Sequence, residues 1–512
     1  MPFNKTNRRT DIIIFIAALV LAIIYIATAG GGFPLDDSWI HQVYARNLAQ
    51  LGEWSFVAGQ PSAASTSPLY TVLLSIGYKL GIHYTIWTHT LGVVALASAG
   101  MIAARMTFRL RPKQRYLPLL SGLAVVFSWH LIWAAVSGME TMIFSMLCLL
   151  IVALVWREAE QIDAPLRQKL IWGGVYGFVS GLTTLARPEG LGIVGLGGLV
   201  LITSFKDIRR FIYWSGAAVI IFVFTLSPYL LLNLQLTGGL LPDTAAAKQA
   251  QNAWVIANFS FSRRFWEMVR PLLAGAQIML IPGMLFFAYR TLRETSRRLW
   301  FIYQLPFLWA LALIAVYAAR LPAPYQHGRY VIPVLAPLIV VGVIGTSDIV
   351  LRWRYNQLGR ILTRSLALTT ALIFVVFALG IGPGVYRSDV RVIEEEMVTA
   401  AHWIAENIPP DELLAIHDIG AVGYFAPRPM LDIAGLVTPE IIPLLGDDNA
   451  LWEFMRRSNA RYLMAFPDQI PGNNPDDSRL CLVFTTHGKT SPSLGGPNMS
   501  VYKLSWDGRC NS

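Results

Sequence analysis

Apolar residues in this chain gather into long runs separated by short polar, mostly basic segments. Eleven runs read as membrane-spanning helices: residues 12–29, 86–106, 117–135, 139–156, 170–185, 191–205, 211–234, 272–289, 300–318, 331–347 and 366–383. A span needs about 20 apolar residues to cross ~30 Å of hydrocarbon. A twelfth run, 68–80, is shorter, carries Lys79 and opens on Ser67-Pro68, a helix start. At ~1.5 Å per residue it reaches only about 20 Å, so the pattern predicts an interfacial helix in the loop after the first span. The first run follows Asn-Lys-Thr-Asn-Arg-Arg. It exceeds the ~7–15 residues of a cleavable signal core and reads as an uncleaved anchor.

Past residue 386 the pattern changes. Short alternating or fully apolar stretches predict strands at 413–417, 430–433, 461–466, 480–485 and 500–505, with helices at 390–407 and 449–458. This alternation predicts a small α/β domain, residues 387–512, behind a polytopic α-helical membrane domain, residues 1–386. The order of its strands is not legible. No internal repeat or low-complexity tract interrupts either part.

Composition agrees. Of the 512 residues, 54% are hydrophobic and 14% charged, with a mean hydropathy of +0.50. A soluble chain carries roughly 25% charged residues. The net charge of +10 does not point to nucleic acid. The basic residues sit in clusters between spans, whereas phosphate backbones need one continuous basic face. Those clusters instead set orientation. With eleven spans, 22 of the 41 Lys and Arg fall on the side of the N-terminus, nine in the opposite loops and ten in the C-terminal region. Cytoplasmic segments carry the excess. The N-terminus is therefore expected inside the plasma (inner) membrane. The first loop (30–85) and the C-terminal domain are expected outside. Counting 68–80 as a span would reverse most of the bias.

Three cysteines are too few for a cysteine metal cluster. Cys148 lies within a span. Cys481 and Cys510 fall outside the cytoplasm, where disulfides persist, and a bridge between them would staple the chain's tail.

Acids beside a span are costly to keep unless used. The first loop opens on Asp36-Asp37, in "DDSWIHQVYARNLAQLG". Helical spacing sets Asp37, His41, Tyr44 and Leu48 on one face. One Asp can serve as an N-cap; the second needs another reason. Other charged residues expected on this side are Glu53, Asp243, Lys248 and Arg320. "SGMETMIF" sets Glu140 at the start of the fourth span, for a site or for the helix dipole. "LARPEGLG" sets Arg187 and Glu189 in a tight turn, where they can pair. "APYQHGRYVIPVLAP" offers Tyr325, His327 and Arg329 at another span end, where arginine snorkels or grips phosphate. Trp39, Tyr44 and Trp54 are available to stack on sugars or to anchor at the interface. Acids and arginines at the rim of an apolar body suit a substrate with an anionic head and a long apolar tail.

In these motifs, and in layout over residues 10–385, the chain resembles the GT-C class of integral-membrane glycosyltransferases. The run from Asp36 through Ser67, with "SGMET", resembles the arabinofuranosyltransferase-like branch especially. More distantly it resembles the protein mannosyltransferase branch. The resemblance implies a polyprenyl-phosphate-sugar donor, a glycan, lipid or protein acceptor, and no nucleic-acid partner. It puts the catalytic acid on Asp37 or Asp36 and a second acid on Glu140. Donor phosphate would lie on Arg187 and Arg329; position at the outer face, not the resemblance, makes His41, Tyr44, Trp39, Glu189, Tyr325 and His327 the candidates around the substrates. Glu140 stands alone where oligosaccharyltransferases pair acids for a metal, so the pattern calls for no divalent cation. The expected activity is hexosyl or pentosyl transfer to a hydroxyl, with inversion. A transporter or flippase of lipid-linked sugars is the alternative, but such proteins keep acids near the midplane.

Overall fold

The computed structural model describes residues 8–161, 163–239, 244–508 and 510. Asp243 lies outside these residues. The membrane part begins with α1 (Arg8–Ala29). Two short helices follow in the first loop, α2 (Asp36–Gln50) and α3 (Pro68–Lys79), separated by a small hairpin of β1 (Ser55–Val57) and β2 (Gln60–Pro61). Then come α4 (Tyr84–Leu110), α5 (Leu117–Val126), α6 (Trp129–Val136), α7 (Thr141–Glu160), α8 (Leu166–Ala186), α9 (Gly190–Ile202), α10 (Ile208–Thr237) and α11 (Thr244–Gln251). The expected interfacial helix is α3.

The eleven expected spans map onto helices, but not all as straight crossings. Among the described residues, seven helices are long and apolar enough to cross a membrane, or nine if each of two bent pairs is one span. The run 117–135 is broken into α5 and α6, bent by 55°. The run 272–289 falls in a pair, Phe261–Leu273 and Ala276–Glu294, bent by 95°. The run 191–205 yields α9, whose 13 residues reach about 20 Å, too short to cross alone. The run 170–185 yields α8, which is long enough, but its glycines and the Arg167 and Lys169 at its start make it less apolar than the seven.

Close helix contact needs small residues. Gly173 and Gly177 of α8 meet α10 so closely that a Cβ on either would collide with the carbonyl oxygen of Trp214 or Ala218. On the side away from the C-terminal domain, the basic clusters form ion pairs. Arg105 holds Asp11 at 2.9 Å, Arg290 holds Asp348 at 2.8 Å, and Lys169 holds Glu158.

The C-terminal strands are β3 (Leu414–Ile416), β4 (Met430–Asp432), β5 (Tyr462–Ala465), β6 (Leu480–Thr485) and β7 (Ser500–Leu504). They form one mixed sheet in the order β4-β3-β5-β7-β6. The first three are parallel, with Leu414 opposite Met430 and Tyr462; β7 runs antiparallel to both neighbours. The period of two in a strand divides the faces. Leu414, Ile416 and Met464 join the first-loop side. Ala415 and Leu463 pack under Leu451, Trp452 and Met455 of the helix Asp448–Arg457. Cys481 and Cys510 form the disulfide, with Cα atoms 5.4 Å apart.

The boundary at 386 is less sharp than the sequence suggests. One helical run extends from Gln357 to Asn407 without a stop. The domain also shares a core with the first loop: Phe33, Trp39, Ile40, Val43 and Tyr44 pack with Ile416, Ile419, Val422 and Val501. That shared core sets the domain over the end of the membrane body where α2 begins.

Candidate functional site

Leu35, not an aspartate, occupies the N-cap position of α2, with no side-chain cap. Both aspartates therefore lie in the first turn, and their side chains go elsewhere. They diverge. Asp36 is buried and turns to the C-terminal domain, where its carboxylate accepts the backbone N–H of Gly420 (2.7 Å) and Ala421 (2.8 Å). Burial and the nearby Asp418 push its pKa up to about 8, against those two hydrogen bonds. Asp37 turns to the membrane body and pairs with Arg329. Burial works against its charge, but Arg329 and Lys248 outweigh it and hold the carboxyl below its usual range.

Asp37 lines a cavity of about 280 Å³ together with His41, Glu140, Arg187, Glu189, Lys248, Arg320 and Arg329. Four cationic side chains thus face three carboxylates. Val316 and Leu321 continue the wall in apolar material. The second loop reaches this cavity through a tight turn. Gly138 has φ 77°, a conformation that favours glycine, and Ser38 Oγ on α2 donates to the Ser137 carbonyl at 2.8 Å. Glu140 follows at the start of α7. Arg187 Nη1 donates to its Oε1 at 2.6 Å, and His41 Nε2 lies 3.2 Å from its Oε2. Glu140 is buried, and Arg187 and His41 surround its two oxygens.

The two arginines differ in what they have left to offer. Arg187 is enclosed: beyond Glu140 it donates to Glu189 and to Tyr317 Oη, the latter at 2.9 Å. Tyr317 in turn donates to Glu189. Arg329 is 3% exposed; its Nη2 serves Asp37 and Tyr330 Oη. Its Nε and Nη1 are buried with no hydrogen-bond partner among the described residues. Buried polar groups are almost always satisfied, so these two nitrogens mark a place for an acceptor, best an anion.

The remaining sequence candidates divide. Tyr325 lines a second cavity, of about 220 Å³, which also meets Asp37 and Arg329. His327 does not reach either cavity. Gln326, His327 and Gly328 have φ 53°, 57° and 68°, and this left-handed turn sends the imidazole the other way. Its Nε2 donates to Asp389 Oδ2 at 2.7 Å, between Trp129 and Trp133. Trp39 is 1% exposed and packs on Phe33, Tyr84, Tyr424 and Phe425. Tyr44 is fully buried, with its hydroxyl 2.6 Å from Ser62 Oγ and accepting from the Ala64 N–H at 3.0 Å. Neither has a face left for a sugar, and Trp54 is likewise buried beside Tyr44. Trp39 is consumed by the docking of the C-terminal domain, Tyr44 by the first-loop hairpin and the residues after it, and Trp54 by Tyr44 and Tyr229 of α10.

Sequence reasoning noted Lys248 and Arg320 only as charges on the expected outer face. It missed Tyr317 and Tyr330, which read as ordinary residues of apolar segments. Lys248 Nζ donates to Tyr330 Oη at 3.3 Å. Among the described residues no group of three or more His, Cys, Asp or Glu is arranged to hold a metal ion.

Residues 385–502 match a family model described as a domain of unknown function, DUF8728. No curated protein sequence matches the chain. Similar solved structures cover nearly all of it. ArnT from Cupriavidus metallidurans bound to undecaprenyl phosphate aligns at TM-score 0.64 and 14% identity, over 98% of this chain and 99% of that one. The apo oligosaccharyltransferase of Archaeoglobus fulgidus aligns at TM-score 0.56 and 13% identity, over 97% and 75%. AglB from Archaeoglobus fulgidus, in complex with an inhibitory peptide and a dolichol-phosphate, aligns at 0.53 and 12%, over 97% and 74%. At such identities the likeness is one of fold: this is a multi-pass membrane protein with the GT-C architecture.

Proposed function

We propose that the protein is a glycosyltransferase that moves a sugar from a polyprenyl-phosphate donor to an acceptor hydroxyl. Transfer takes place at the membrane face that carries the C-terminal domain, which the charge bias assigns to the outside. The observation that carries this reading is the buried Arg329 guanidinium. One of its nitrogens holds Asp37, and two have no partner among the described residues. The structural neighbours add support, since two of them were solved with undecaprenyl phosphate and dolichol-phosphate.

Each part then has a task. Arg329, helped by Lys248, holds the donor phosphate and stabilises the charge that grows on it as the sugar–phosphate bond breaks. Asp37 stays ionised through Arg329 and takes the proton of the acceptor hydroxyl as that oxygen bonds to the anomeric carbon, a contribution of ~10²–10⁴-fold. Attack opposite the departing phosphate inverts the anomeric centre. The depressed pKa of Asp37 makes it a modest base in the empty protein. A phosphate bound to Arg329 competes for the same positive charge and raises the basicity of Asp37 when the donor is in place. Glu140, enclosed by Arg187 and His41, orients the Arg187 side of the cavity.

The test is undecaprenyl phosphate binding to the purified full chain. Arg329→Ala should weaken it by ~10–100-fold, the value of charge-assisted hydrogen bonds. Arg329→Lys, which keeps the charge but not the planar donor array, should fall between. Equal affinity in all three proteins would remove Arg329 as the phosphate ligand.

A further inference from the structure

We infer that the C-terminal domain supplies one wall of the acceptor site, and that His417 and Asp418 bind hydroxyl groups of a sugar-like acceptor in the second cavity. This deepens the glycosyl-transfer reading and rests on it. The cavity lies between the membrane body and the loops after β3 and β4. Ile40, Lys248, Tyr330 and Leu436 line it as well as the first cavity, as do Asp37 and Arg329. Asp37 is thus reached from both. A base that serves a donor on one side and an acceptor on the other needs this placement.

The lining suits a polyol. His417 and Asp418 come from the domain; Gln251 and Tyr325 come from the membrane side. Asp418 Oδ1 is 3.3 Å from His417 Nδ1, and its Oδ2 accepts from Gln469 Nε2 at 2.8 Å. A carboxylate has about four acceptor positions, so two fixed contacts orient Asp418 and leave capacity for hydroxyl donors. At about 220 Å³ the cavity is smaller than the roughly 300–1,000 Å³ of drug-sized sites. It fits one ring rather than a chain. Arg329, whose Nε and Nη1 have no partner among the described residues, lines this cavity too.

Both domain loops are held in place by buried aspartate side chains. Asp36 takes the N–H groups of Gly420 and Ala421, two residues past Asp418, and a Cβ at Gly420 would collide with the Asp36 carbonyl oxygen. Asp432 takes the N–H groups of Ala434 and Val437, each at 2.8 Å, and of Leu436, shaping the turn that lines the cavity. Pre-organised walls of this kind lower the cost of binding.

The experiment uses the full chain with a panel of methyl glycosides as acceptor probes and undecaprenyl-phosphate-linked sugars as donors. Asp418→Asn, Asp418→Ala and His417→Gln should raise the glycoside KM ~tenfold or more. Donor KM and undecaprenyl phosphate affinity should stay near wild type, which also reports intact folding. Ligand-observed NMR of glycoside binding gives the same answer without turnover. Loss of the glycoside signal in these variants, with phosphate binding kept, supports the site even where no sugar is transferred, and then only the transfer reading falls. Unchanged glycoside KM and binding would overturn the inference, as would a wild-type chain that binds no glycoside. A parallel fall in donor and glycoside binding would also overturn it, by reducing His417 and Asp418 to structural residues.

Discussion

At the scale of single residues, Asp36 and Asp37 are neighbours with different duties. Asp37→Asn should fold normally and lose ~10²–10⁴-fold in turnover. Asp36→Asn should keep more activity but loosen the 418–437 loops, read as faster amide exchange there. Near wild-type transfer in both variants would refute the mechanism. Asp36 also gives a pH dependence with a definite sign. Its folded pKa, about 8, lies above the unfolded value. Its contribution to the domain contact is therefore fully present below about pH 4 and is lost as pH rises through about 8. Thermal unfolding of wild type should show this loss, and Asp36→Asn should flatten it. Adjacency marked the pair as a candidate, although neither Asp serves as the N-cap, and helical spacing grouped Asp37 with His41, which lines the same cavity. Which Asp does which was not legible, because the Gly420 N–H lies 384 positions away. The same distance hid the fate of Trp39: nothing local says that Tyr424 and Phe425 will cover it.

At the scale of elements, apolar period and length located the helices, since burial in lipid acts on every residue of a run. The bends at Phe127–Ser128 and Ala274–Gly275 were invisible, because hydropathy does not record direction. Strands β3 to β7 were legible within a residue or two from their alternation, but their order depends on non-local pairing. Two predictions belong here. Gly177→Leu should force α8 from α10 through the Ala218 carbonyl. Because Arg187 caps the end of α8, undecaprenyl-phosphate-dependent turnover should fall along with detergent-solution Tm; an unchanged Tm would show that the helices tolerate separation. Removing the bridge across 29 positions with Cys481→Ser should cost the C-terminal domain about 3–4 kcal/mol in the chain-entropy model. A reductant-insensitive Tm in wild type would contradict this.

At the scale of the whole molecule, a membrane body whose cavity is lined by Asp37 and Arg329 meets a C-terminal domain that shares a core with the first loop. Gln60 in the first-loop hairpin and Asp476 in the C-terminal domain are both exposed. Cysteines placed at these positions should react with a membrane-impermeant thiol reagent in intact cells. Protection of either would reverse the orientation drawn from the basic residues. The central claim, sugar transfer driven by Asp37 and Arg329, is tested most directly by one measurement. The purified full chain is given undecaprenyl-phosphate-linked sugars, and release of undecaprenyl phosphate is measured with and without methyl glycosides. The account predicts release with formation of the new glycoside, abolished in Asp37→Asn while undecaprenyl phosphate still binds. Release at wild-type rate from Asp37→Asn would contradict it.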